Sequence, residues 1–240
     1  MKNNNALSFI FLLFVFISCQ SNQNKVDFSG HINTNTESEI SLYQVFPNNE
    51  VLIDSSPIKN GRFRLTGEIN SEGRDPSFYK LVLSKTNFIL TIASPGEKLV
   101  FNIDSAIMVK SYTVKGGKDA DLMQQLNHQL KLFGDSVLAL EQIYFKNQYN
   151  DSVKSGIEST YMDYINNHKV FLSQFIEKNP HSLSTLTAFY QKYGRRTFFP
   201  EKENISLLRT IISSLESKYP NNKDVIYIKN RIERITTTEN

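Results

Sequence analysis

Among 240 residues the sequence holds a single cysteine, Cys19. One thiol cannot close an intramolecular disulfide, supply a CxxC redox pair or cage a metal with thiolates, because each needs at least two sulfurs side by side. An excess of one charge is missing too. The 27 basic and 24 acidic residues leave a net charge of +3 with no clustered Lys and Arg, which excludes a nucleic-acid footprint. The apolar run from Ala6 to Ile17 falls short of the ~20 residues a spanning helix requires and meets the polar stretch Gln20 to Lys25. GxSxG, HExxH and a serine–lysine (SxxK) motif with a following KTG are all absent. Lys115-Gly116-Gly117-Lys118 lacks the GxxxxGK[ST] spacing of a phosphate loop, and no cofactor is expected.

What is present reads as globular: 40% hydrophobic, 12% aromatic without Trp, and 21% charged. Such a length accommodates one larger domain or two modest ones.

At the N-terminus, Met1 to Ser8 is short and polar with one positive charge at Lys2, and it leads into the apolar run as a signal peptide does. Phe16-Ile17-Ser18-Cys19 resembles the lipobox of bacterial lipoproteins, with Phe16 in place of the usual Leu. That resemblance implies a signal peptide over 1–18, acylation of Cys19 and a lipidated tether over 19–25. Each buried acyl methylene contributes about 0.8 kcal/mol, so a triacylated cysteine holds its protein on the membrane permanently. The first mature residues lack the acidic cluster that resembles a surface-export signal. A periplasm-facing lipoprotein, anchored to the outer rather than the inner membrane, is the expectation.

From Val26 to Val114 short alternating bursts are separated by turn residues, the pattern of an antiparallel sheet with one buried face. Ile40, Leu42 and Phe46 share a face, as do Val51 and Ile53, then Phe63, Leu65 and Ile69 after the turn Lys59-Asn60-Gly61. Asn-Gly supplies the positive backbone dihedrals of a tight hairpin. Tyr79, Leu81 and Leu83, then Phe88, Leu90 and Ile92, precede the turn Ser94-Pro95-Gly96, and Leu99, Phe101 and Ile103 follow it. About seven strands close as a β-sandwich over 26–115.

The period changes at Gly116-Gly117, the expected hinge into a helical domain over 116–240. Leu122, Leu126, Leu130, Phe133, Val137, Leu140 and Tyr144 recur at spacings of three and four, and a second helix reads from Val153 to Phe175. The turn at Asn179-Pro180 ends it. Three further helices are expected near Leu183–Tyr190, Ile205–Leu215 and Val225–Ile235. The fold class is therefore α+β by segments, a sandwich followed by about five helices.

Asp54 to Gly67, Ser94 to Lys98, Val114 to Gly117 and the helical tail with Tyr219 to Asn222 together resemble one family. It is the uncharacterised N-terminal β-sandwich domain, with helical connector, of Bacteroidota lipoproteins whose C-terminal half is a thioredoxin-like thiol-disulfide oxidoreductase. The resemblance covers nearly all the mature chain, and its motifs are turns and strands rather than chemistry. Thiol exchange needs a thiolate and a disulfide. This sequence runs to Asn240 without a second Cys, so no redox activity and no catalytic residue carries over.

The four histidines are scattered: His31 on a strand, His128 and His168 on helices, His181 in a loop. His168 falls on an apolar stripe and is expected to be a hydrogen-bonded core residue, while His128 flanks its stripe and faces water. Asp119 and Asp121 read as favourable charge at a helix start. The one candidate binding loop runs from Tyr190 to Pro200, where Tyr190, Tyr193, Arg195, Arg196 and Phe198 combine the residue types that dominate interface hot spots. Its competing reading is a connection with Phe198 and Phe199 tucked into the core. The expected function is a non-catalytic binding or interaction module, tethered to the membrane, whose long first-helix stripe suits association with a periplasmic protein partner, a thioredoxin-like oxidoreductase being the partner that the resemblance suggests. An enzyme with a pocket between sandwich and helices, and a relative that lost its catalytic half, stay open beside it.

Overall fold

The computed structural model describes residues 24–33, 38–68, 75–104, 106–147 and 149–237; the expected signal peptide over 1–18, Cys19 and Ile69 lie outside them. Eight strands come first: β1 (Lys25–Ile32), β2 (Glu39–Val45), β3 (Glu50–Pro57), β4 (Arg62–Glu68), β5 (Ser77–Ser84), β6 (Asn87–Ala93), β7 (Lys98–Ile103) and β8 (Tyr112–Lys115). They form two four-stranded sheets, ordered β4-β1-β7-β8 and β3-β2-β5-β6. Alternation in β4 and β7 places Phe63, Leu65, Leu99, Phe101 and Ile103 inside, as expected of strands with one wet face. Between the sheets Phe28 lies 5.5 Å from Tyr79 and 5.8 Å from Phe101, centroid to centroid.

Three details depart from the sequence reading. β1 and β7 run parallel, because the first sheet gathers strands far apart in the chain, whose long connections allow either direction. The Asn60-Gly61 turn has both residues at positive φ, 51° and 71°, and a single bridge, Lys59 to Arg62, closes it. It is a corner rather than a long hairpin, since β3 leaves it to pair with β2 and β4 to pair with β1. Val51 is exposed and Ile53 only half-buried because β3 is an edge strand.

A fourth departure concerns β6. Ile89 and Ala93 point into the sandwich, whereas Leu90 and Ile92, with Phe78 of β5, face the helices. The second sheet is thus covered on both sides, and the molecule is layered sheet, sheet, helices.

Helices α1 (Lys118–Lys146) and α2 (Asp151–Lys178) form a long antiparallel pair, followed by α3 (Ser184–Tyr190), a two-rung hairpin of β9 (Lys192–Tyr193) and β10 (Arg196–Thr197), α4 (Ile205–Lys218) and α5 (Lys223–Thr237). Gly117 caps α1 in extended conformation, with Asp119 and Asp121 in its first turn. Asn150 caps α2 by accepting from the Val153 N–H. Asn222 starts α5 by accepting from the Asp224 and Val225 N–H groups, and its Nδ2 donates to the Pro76 carbonyl, tying the last helix to the second sheet.

Candidate functional site

The residues singled out in the Tyr190–Pro200 stretch are separated by the fold. Phe198 is 2% exposed and lies among Phe133 and His168, so it cannot meet a partner; Phe199 is buried as well. Both belong to the helical core, as the competing reading of this stretch held. The loop is itself ordered as β9 and β10, with Gly194 at its tip at φ 58°. Tyr190 ends α3, and its hydroxyl donates to Glu201 Oε1, which together with Oε2 accepts a bidentate pair from Arg231 of α5. Hydrogen bonding from Arg231 holds the Glu201 carboxyl below its ordinary range, while burial and Glu201 push the Tyr190 phenol up. These three residues clamp α5 to the rest of the helices. Arg195 and Arg196 are exposed, and the Arg196 guanidinium sits 5.7 Å from the centre of the Tyr161 ring.

His168 is buried and hydrogen-bonded: Nε2 lies 2.7 Å from Gln191 Oε1, an acceptor, so Nε2 carries the proton. Burial pushes its pKa down from the ordinary value. His128 faces water, and His31 and His181 are exposed elsewhere. Among the described residues no three His, Cys, Asp or Glu side chains gather as a metal site would require.

A surface the sequence reading did not single out emerges where α1 and α2 outrun the other elements. Beyond Val137 α1 buries no residue, and α2 buries none before Ile165. Helices of 29 and 28 residues reach about 40 Å at 1.5 Å per residue, further than the sheet and the short helices can cover. The uncovered part is nonetheless apolar. Phe145 is 69% exposed, Tyr149 93%, Leu138 53% and Ile143 47%. A cleft of about 400 Å³ opens there. Val137, Leu140 and Ile157 form its apolar floor; Tyr144, Tyr161 and Tyr193 supply aromatic walls; Glu141 and Glu158 line it too. Tyr193 reaches it from the β9–β10 hairpin, with its ring against Gly134, where any side chain would crowd it, and edge-on to Phe133 at 5.2 Å. The α1 stripe was legible in the sequence. That its last turns lack a covering element was not.

A second cleft, of about 480 Å³, lies between the β2–β3 turn and α5, at a junction of sandwich and helices. Phe46, Asn48, Asn49, Lys223, Tyr227 and Asn230 line it, and the Lys223 amine stands 5.2 Å from the Phe46 ring centre. Neither a carboxylate nor an imidazole is among its described lining.

Comparison with known families finds a similarity over the first two layers. Residues 26–123 match the model of a domain of unknown function. That domain is DUF4369, and the match covers less than half of the chain. The DUF4369 match takes in both sheets and ends at Met123, within the first turns of α1, so the exposed helical tip falls outside it. No curated protein is significantly similar to the chain.

Proposed function

We propose that this protein is a lipid-tethered, periplasm-facing interaction module without a catalytic role of its own, which docks a protein partner through the distal tip of α1 and α2 and works beside thioredoxin-like oxidoreductases. The observation that carries this reading is the uncovered apolar tip. Exposed apolar residues scattered singly are ordinary, but contiguous ones flanking a cleft mark interaction sites. Aromatic side chains such as Phe145, Tyr149 and Tyr161 bring large contact area at low entropic cost. The tether supports the same reading. Cys19 stands directly after an apolar run, and no described helix is long and apolar enough to cross a membrane. The DUF4369 sandwich then serves as the rigid base from which the helical pair projects.

Native electrophoresis of gently solubilised membranes tests this. The wild-type chain is expected in a complex larger than the monomer. Phe145→Asp is expected to release it to monomer size without leaving the membrane, and Cys19→Ser to move it to the soluble fraction. A complex indifferent to Phe145→Asp would remove the tip as the docking site, and membrane retention of Cys19→Ser would remove the lipid tether.

A further inference from the structure

The chemistry of the tip cleft narrows the partner, given the docking role proposed above. Its floor is aliphatic, three tyrosines wall it, and two carboxylates line it. Glu141 and Glu158 take part in no ion pair among the described residues, whereas nearby Asp135 and Asp151 are held by Lys131 and Lys154 at 2.7 and 3.2 Å. Both cleft carboxylates are thus left to answer a cation from outside, beside the Arg196 guanidinium that lies over Tyr161. The Tyr193 phenol is close enough to feel Glu141: burial raises its pKa first, and Glu141, Tyr161 and Asp135 raise it further. Tyrosine faces attract cations through their ring quadrupole, and one wall already does so, since Tyr161 has the Arg196 guanidinium over its ring. Around the cleft the surface stays apolar on the same side of α1, because Leu138 and Phe145 lie three residues before and four after Glu141.

We infer that the α1–α2 tip receives a basic amphipathic segment of a partner protein, its apolar face on Leu138, Phe145 and the cleft floor and a Lys or Arg side chain among Tyr144, Tyr161 and Tyr193, answered by Glu141 and Glu158. An acidic segment would meet two like charges, and an uncharged one would leave both carboxylates facing apolar surface at the cost of their hydration. The helix-in-groove mode of recognition has these parts: spaced apolar anchors in an apolar groove, with flanking charge setting orientation.

The absence of Trp from the chain gives a direct readout. A short leucine–lysine amphipathic peptide carrying one Trp is titrated with the full chain in non-ionic detergent, and its fluorescence is followed. Wild-type protein is expected to bind it. Glu141→Gln with Glu158→Gln, both exposed positions, should weaken binding about tenfold at low salt, as for two lost ion pairs, with the melting temperature unchanged. The same peptide with Glu in place of Lys should not bind. Equal binding of the two peptides, indifference to the double substitution, or no binding of either would overturn the inference. If neither peptide binds while Phe145→Asp still breaks the native complex, the docking role stands and only the basic segment is wrong.

Discussion

At the scale of single residues, the helical core is organised around a polar pair inside an aromatic shell. His168 is packed at 4.9 Å from Phe133 and 4.5 Å from Phe198, with Gln191 as its partner and the Leu126 carbonyl accepting from Gln191 Nε2. Protonating the ring would put a charge in this buried, largely apolar shell, which burial disfavours. Because the folded-state pKa lies below the ordinary 6.5, the neutral imidazole is the form that folding favours. Its stabilisation is complete above pH 6.5 and is lost as pH falls through the lowered folded value. Asp224, raised to about 6 by burial, acts in the opposite direction over the same window, so the His168 effect is read by difference. The urea-midpoint advantage of wild type over His168→Gln, which keeps a donor at the Nε2 position, should be larger at pH 7.5 than at 5.5. An advantage that is the same at both pH values would remove His168 as a source of pH dependence. In the sandwich, Tyr79 and Thr91 stand opposite each other on β5 and β6, and neither buried hydroxyl has a hydrogen-bond partner among the described residues. Burying an unpaired hydroxyl is unfavourable, so Thr91→Val is expected to be neutral or to stabilise by up to about 1 kcal/mol, read by denaturant unfolding. A loss of 2 kcal/mol or so would show that the hydroxyl is satisfied in solution.

Among the elements, boundaries and junctions set the architecture. Gly116 sits at φ 108°, where a Cβ would fall 1.9 Å from the Lys98 carbonyl oxygen, so the chain passes from β8 into α1 only because no side chain is there. Gly116→Ala should therefore destabilise by 2 kcal/mol or more, on the order of the cost of combined strain and clash. Gly156, inside α2 with no neighbour near its would-be Cβ, gives the opposite sign: Gly156→Ala should stabilise by about 0.5–1 kcal/mol. Thermal melts of the two variants check the pair. The helices were legible in the sequence because each keeps its apolar residues at three- and four-residue spacing, and all five stand where that spacing puts them. The faces of β6 were not, since both are apolar: Ile89 and Ala93 go to one core, Leu90 and Ile92 to the other. Nor was the β9–β10 hairpin, whose two rungs are too short to establish a period-two pattern.

For the whole molecule, the decisive feature is a mismatch of length. Two sheets and three short helices cover only the near part of the α1–α2 pair, and the sequence keeps the far part apolar all the same. An amphipathic stripe reads identically whether the chain's own elements or another protein's cover it, which is why the stripe was visible and its exposed end was not. The sandwich supplies a base, the helices a projecting arm, and Cys19, in this account, the fixed point on the membrane. Site-specific photo-crosslinking in living cells tests this arrangement most directly, with the reactive group placed at Phe145 on the tip and, separately, at Val100, a 52% exposed residue on β7. The account predicts a discrete crosslinked partner from position 145 and none from position 100. Crosslinks of the same pattern from both positions, or none from 145, would contradict it.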